Sequence, residues 1–312
     1  MRLTSIVGAA AAAGVLVLAP SGARAQAPAP AGQGGQPQQE VKVTTTKLGG
    51  NVYAVDGQGG RIEALVGPDG VLLVDTQFPQ VSDKIVAALK GISDGRVRIV
   101  VNTHVHGDHT GGNENFGKLG AVIMARPNLR KRLLNPNPGA NGQPTPPTAA
   151  VGLPVVTYDQ PMTLQLNGEE VRILPLAPSH TDGDTAVYFV NADVLATGDV
   201  FRAVGYPNID RANGGTLAGL LQSLNTFIDV SGPNTKVSPG HGDVTNEAAV
   251  VAHRDMVIAV RDRVQKQITE GKTVEQVVAS KPTADFDARV GNAMASADRF
   301  VQQVYAELRG GR

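Results

Sequence analysis

The stretch THVHGDHTGG, residues 103–112, places His104, His106, Asp108 and His109 close together in a chain that holds six histidines in all. Imidazole and carboxylate are nitrogen and oxygen donors for divalent metal ions. The chain has no cysteine, so any metal held here is held by nitrogen and oxygen alone. Residues 104 and 106 share a face in extended backbone but lie on nearly opposite sides of a helix. The pattern therefore predicts a strand-to-loop site, unlike the helical H-E-x-x-H arrangement. Gly107 lets the chain turn so that Asp108 and His109 come round to the same side. Further donors stand at three other turns: His180 in LAPSHTDGD, Asp199 in ATGDVF and His241 in SPGHGD. Four such groups can hold one ion; with these reserves the chain can hold two. His253 falls among Val250, Val257 and Val260 at helical spacing and reads as a packed or interfacial residue.

The elements that must deliver these side chains are legible around them. VKVTTTKLGGNVYAVDG reads as a strand followed by a turn. IEALVGPDGVLLVDT is two apolar runs about Pro68-Asp69-Gly70, a hairpin ending at Asp75. VSDKIVAALKGI has helical spacing with Ser82 as its expected N-cap, and RVRIVVNT is a buried strand that ends in the histidine cluster. The second half repeats the plan: DTAVYFVNADVLATGD ends in Asp199, TLAGLLQSLNTFI puts Leu217, Leu220, Leu221, Leu224 and Ile228 on one helical face, and TKVSPGHG is a short strand reaching His241. Two strand-strand-helix-strand halves predict two packed sheets with helices outside and the metal groups along a shared edge. Helical spacing dominates after Asn246.

H-x-H-x-D-H, then a single His, a single Asp after TG and a final GH, resembles the metallo-β-lactamase superfamily over roughly Val43 to Thr245. The resemblance implies an α/β fold, the αββα metallo-β-lactamase sandwich, with extra C-terminal helices. It implies that His104, His106 and His180 hold a first Zn²⁺, that Asp108, His109 and His241 hold a second, and that Asp199 bridges them. Asp75 would orient the histidine loop from behind. Water shared by the two ions would lose its proton near neutral pH and attack a carbonyl, with Asp108 steering it as a catalytic group. Asp199 stands where some lactamases of the family carry a cysteine, so the bridged pattern is more similar to the glyoxalase-II type of thioesterase and to lactonases. β-Lactam hydrolysis is the alternative activity. A mono-iron persulfide dioxygenase using His104, His180 and Asp199, or a non-catalytic periplasmic zinc-binding protein, is the alternative of another class. Nitrogen and oxygen donors do not separate zinc from iron or manganese.

A hydrophobic content of 41%, a charged content of 18% and a formal net charge of zero describe a globular chain with no electrostatic footprint for nucleic acid. Arg2, the apolar run from Ile6 to Ala19 and an A-x-A site at Ala23 and Ala25 predict a signal peptide over 1–25, too short for a membrane span, and hence a periplasmic or secreted protein. Residues 26–40 are Pro/Gly/Gln-rich and read as a disordered linker. The metallo-β-lactamase-like domain is expected over 41–312, with 246–312 as packing helices. The chain has no tryptophan and 4% aromatics, which favours a narrow groove for a small-molecule substrate. Arg202 and Tyr206, just after Asp199, are candidate substrate contacts. The loop 135–148 reads either as an overhang shaping specificity or as a plain surface loop.

Overall fold

The structure, a computed structural model, describes residues 41–138, 143–291 and 293–310. The segments assigned to the signal peptide (1–25) and linker (26–40) lie outside the described residues, as do residues 139–142 of the 135–148 loop.

The first half runs β1 (Thr44–Gly49), β2 (Val52–Asp56), β3 (Ile62–Leu65), β4 (Val71–Val74), α1 (Ser82–Lys90), β5 (Val97–Val101), α2 (Gly107–Thr110), α3 (Asn113–Lys118), β6 (Val122–Ala125), α4 (Pro127–Leu134) and β7 (Val156–Thr157). These strands form a seven-stranded sheet in sequence order, antiparallel from β1 to β4 and parallel from β4 to β7. The second half runs β8 (Met162–Leu166), β9 (Glu169–Pro175), β10 (Thr185–Phe189), β11 (Val194–Ala196), α5 (Leu217–Val230) and β12 (Lys236–Ser238), a five-stranded sheet of order β12-β11-β10-β9-β8. Helices α6 (Glu247–Thr269), α7 (Val274–Ala279), α8 (Ala284–Asp287) and α9 (Ala293–Leu308) follow. The duplicated plan is present: β3-β4-α1-β5 and β10-β11-α5-β12 each hold one antiparallel and one parallel pair. Parallel pairing demands a crossover, and in each half the helix supplies it.

Period-two alternation decides the layers. In β4, Leu72 and Val74 face the second sheet, while Val71 and Leu73 face α1 and α3 with Ile85, Leu89 and Phe116. In β11, Val194 and Ala196 join the intersheet core, and Leu195 packs outward with Leu220, Leu224 and Phe227 of α5. Both central strands are thus buried on both faces, which accounts for their unbroken apolar runs. Each buried Leu or Phe contributes about 1.5–3 kcal/mol. The result is a helix-sheet-sheet-helix sandwich. Among the described residues no helix is long and apolar enough to cross a membrane.

The helix caps differ in part from the sequence reading. Ser82 is the first residue of α1 rather than its N-cap. A 3₁₀ turn, Pro79–Val81, leads straight into the helix, and Ser82 Oγ accepts from Asn115 Nδ2 at 3.0 Å instead. Thr216 caps α5 and Asn246 caps α6 through side-chain oxygens.

Candidate metal centre

Every donor lies in a connection that follows a strand. β4 ends at Val74 and delivers Asp75; β5 ends at Val101 and leads into residues 104–109; β11 ends at Ala196 before Asp199; β12 ends at Ser238 before His241. His180 lies in the β9–β10 connection. Asp75 adopts a left-handed φ of 69°, uncommon for a residue with a side chain though tolerated by aspartate. Its carboxylate there accepts from the Thr103 amide at 2.7 Å and the Thr103 hydroxyl at 2.6 Å.

Two clusters of donor atoms result. His104, His106 and His180 form one; Asp108, His109 and His241 form the other, each with its donor atoms within 4.8 Å of one another. Three atoms about 2.1 Å from one ion stand roughly 3–4 Å apart. His180 Nε2 lies 2.9 Å from His106 Nδ1, and His241 Nε2 lies 3.5 Å from His109 Nε2 and 3.1 Å from Asp108 Oδ2. Asp199 sits between the clusters: Oδ1 is 3.3 Å from His109 Nε2, and Oδ2 is 3.4 Å from His241 Nε2 and 3.9 Å from His180 Nε2. His104 Nε2 and Asp199 Oδ1 are buried without a hydrogen-bond partner. Such orphaned atoms are costly unless a ligand takes them, and their donor types fit a divalent cation. His104, His109, His180 and Asp199 are buried, whereas the side chains of His106, Asp108 and His241 are 25%, 26% and 21% exposed and form the open side.

The opposite nitrogen of each buried imidazole is already committed. His109 Nδ1 donates to Asp75 Oδ2 at 2.7 Å, His180 Nδ1 to the Asn208 carbonyl at 2.6 Å, and His104 Nδ1 to Thr103 Oγ1 at 3.0 Å. His106 Nε2 faces Asp210 Oδ2 at 2.7 Å. These contacts fix each tautomer and aim the free nitrogen into the centre. Asp75 also falls within reach of His104 and His109 as a third donor group. Its Oδ1 and Oδ2 already accept from Thr103 and His109, so it acts as an orienting residue. Burial, with repulsion from His109 and His180, holds His104 well below the ordinary imidazole value, and burial holds His180 down at about 4. Both are therefore neutral and able to ligate. Burial opposes charge on His109 as well, yet Asp75 and Asp199 outweigh it and raise that ring. Burial would raise Asp199, but His109 and His241 bring it well below the usual carboxylate range.

Two glycines permit this density. A Cβ on Gly60 would overlap the His109 ring, and one on Gly240 would overlap Asp199 Oδ1. The β2–β3 turn is thereby pressed onto the centre, with the Gly60 amide donating to the Asp108 carbonyl and the Arg61 amide to the Gly240 carbonyl.

All seven donor residues named from the sequence, and Asp75, converge here. Arg202 also arrives, its Nη1 2.6 Å from Asp199 Oδ2. Tyr206 does not reach the groove and is corrected as a substrate contact. Its ring is fully buried, stacked on Phe300, and its hydroxyl is taken by the Thr283 carbonyl and Asp287. His253 is buried against Phe201, outside the metal cluster. In the 135–148 loop, Asn137 docks on Ala212 and Asn213, beside the turn that carries Asp210. The sequence reading missed Asn208 and Asp210. The only trace of Asp210 was its D-x-x-N spacing to Asn213, a turn signal, and Asp210 does accept from the Asn213 amide and side chain.

Residues 46–241 match the family described as the metallo-beta-lactamase superfamily. A hydroxyacylglutathione hydrolase of Nitrosococcus oceani is 29% identical over 167 residues, 51% of this chain and 54% of that protein. Among solved structures, a metallo-beta-lactamase from Pontibacter korlensis superposes with a TM-score of 0.58 at 17% identity, covering 69% of this chain and 99% of that one. The inverting sec-alkylsulfatase Pisa1 from Pseudomonas sp. gives 0.65 at 17% identity, covering 85% of this chain and 50% of that one. The chain spans about half the length of the curated relatives it matches.

Proposed function

Since the chain belongs to the metallo-β-lactamase superfamily, we propose that it is a zinc hydrolase with two metal ions per chain that opens a small ester, lactone, thioester or cyclic amide. His104, His106 and His180 would hold one ion, Asp108, His109 and His241 the other, and Asp199 would reach both. When bound, the ions supply Lewis acidity and bring the pKa of water towards neutrality. The observation that supports the reading is the pair of three-residue clusters with Asp199 lying between them, and with His104 Nε2 and Asp199 Oδ1 left orphaned.

The chain's own groups have definable tasks. Asp75, Asp210 and the Asn208 carbonyl hold the imidazoles in one tautomer and one orientation. The partly exposed carboxylate of Asp108, at the open side, is placed to orient attacking water and to take a proton from it. Arg202 neutralises charge on Asp199. We further propose that the protein is exported, with residues 41–312 as one domain carrying its C-terminal helices.

Metal content by mass spectrometry, followed by initial rates on a chromogenic cephalosporin and an aliphatic lactone, tests the reading. About two zinc ions per chain with lactone opening supports it. Cephalosporin turnover above about 10⁴ M⁻¹s⁻¹ would make β-lactams the substrate class. One iron per chain with oxygen uptake, or zinc bound without any turnover, would overturn it.

A further inference from the structure

Two side chains of α9 reach the segment that orients the first of the two donor clusters. Residues 208–216 run between Asp199 and α5 with little regular structure, a 3₁₀ turn at Arg211–Asn213 apart. Their place is therefore set by hydrogen bonds from elsewhere. Gln303 supplies two: its Oε1 accepts from the Ile209 amide at 3.0 Å, and its Nε2 donates to Asn208 Oδ1 at 2.9 Å. One turn further on, Glu307 accepts from Arg211 Nε at 2.9 Å and from the Leu217 amide at 3.1 Å. Positions four apart share a helix face, so all these bonds leave α9 from one patch. Ile209 is buried in the same core as Phe300 and Val304 of that helix. Without Gln303 its amide would be left unpaired, at a cost that favours a shift of the segment.

The gripped segment bears on one cluster. The Asn208 carbonyl accepts from His180 Nδ1 at 2.6 Å, the Asp210 amide donates to the His180 carbonyl at 2.9 Å, and Asp210 Oδ2 faces His106 Nε2 at 2.7 Å. Two of the three imidazoles of the first cluster thus take their orientation from residues 208 and 210. The second cluster is held from other directions. Asp75 takes His109 Nδ1, the Gly60 amide donates to the Asp108 carbonyl, and the Ala203 amide donates to the His241 carbonyl. Among the described residues, neither Gln303 nor Glu307 bonds to any of these groups.

We propose that Gln303 and Glu307 are positioning residues for the first cluster alone. They clamp residues 208–211 so that His106 and His180 stay aimed at one ion, and the two ions are thereby held by separate parts of the fold. Ligands fixed by their outer partners bind more tightly because less order is lost when the ion arrives. The inference rests on the two-ion part of the hydrolase reading above.

Zinc titrated against a chromophoric chelator tests it in two backgrounds. His241→Ala leaves the first cluster complete, and His106→Ala leaves the second. Gln303→Met, of similar length and helix propensity, removes both hydrogen bonds. It is expected to weaken zinc binding about fivefold or more in the first background, approaching the roughly tenfold cost of losing a direct orienting partner, and to leave the second background within about twofold. Gln303→Glu keeps the acceptor for the Ile209 amide, and the Asn208 amide can turn to donate to it, so binding is expected to recover. If Gln303→Met does not fold, Glu307→Gln, which keeps an acceptor for the Leu217 amide and removes the charge on Arg211, carries the same comparison with a smaller loss in the first background only. A merely architectural α9 would weaken both backgrounds alike. That result, or unchanged binding in the His241→Ala background, would overturn the clamp while leaving the two-ion reading standing. Zinc bound in neither background would overturn the two-ion reading and the clamp with it.

Discussion

Glu63 is a carboxyl that the chemistry does not use, and it makes a sharp test of how the two sheets are joined. It sits in β3, 3% exposed, and accepts from Ser238 Oγ, at the end of β12, at 2.5 Å. Burial pushes it from 4.5 up to about 8, against the Ser238 hydrogen bond and Arg61 and with the help of Asp75. Folding therefore takes up a proton here between those two values. A folded-state value above the unfolded one means that the stabilisation is whole below pH 4.5, is eroded as pH rises and is gone by about pH 8. At about 1.36 kcal/mol per pH unit, that interval amounts to on the order of 5 kcal/mol.

Glu63→Gln isolates this effect. The amide keeps an acceptor for Ser238 and cannot ionise, and its buried N–H groups cost about 1–3 kcal/mol at every pH. Near pH 5 the variant should be equal to or less stable than the parent; near pH 8.5 it should be the more stable. The assay is urea unfolding of the metal-free protein by circular dichroism at several pH values. The stability gap is expected to move by about 1.4 kcal/mol per pH unit through the middle of the window. Parallel curves, with a gap that does not change with pH, would refute the reasoning.

Other perturbations follow from the centre itself. Asp210→Asn weakens the acceptor on His106 Nε2 and should lower zinc affinity about 10–100-fold, read by competition with a chromophoric chelator; unchanged affinity would make the 2.7 Å contact incidental. Asp199→Ala removes the carboxylate that lies between the two clusters and should lose most metal and activity, as read by metal analysis and rates of the dialysed protein; full activity would refute the proposed bridging role. Gly60→Ala places a methyl group in the His109 ring and should cost on the order of 1–3 kcal/mol by overpacking while depleting the second ion first. Spectroscopy of a cobalt-substituted sample would show two intact sites if that packing argument fails.

Much of the centre was legible because its donors are chemically unusual and its strands are short apolar runs between turn signals. His104, His106, Asp108 and His109 announce themselves by spacing, and β4 and β11 by unbroken burial. What stayed hidden depends on segments remote in sequence. Asp210 and Asn208 matter only because the chain after Asp199 folds back under His106 and His180, and nothing local in YPNIDRANGG says so. Tyr206 misled for the same reason: nearness to Asp199 in sequence suggested the groove, but the segment turns its ring onto Phe300 of α9.

The C-terminal helices, which helical spacing alone marks as packing elements, support that segment directly. Gln303 in α9 accepts from the Ile209 amide through Oε1 and donates to Asn208 Oδ1 through Nε2. Glu307 accepts from Arg211 and from the Leu217 amide. The residue that fixes the His180 tautomer, and the two residues flanking the one that faces His106, are thus held from a helix about a hundred residues downstream. A helix that fastens Asn208 and the residues on either side of Asp210 couples the geometry of the candidate ligands to the packing of the last quarter of the chain. Loosening α9 would therefore reach the candidate metal centre through the 208–211 segment without touching any of its donor residues.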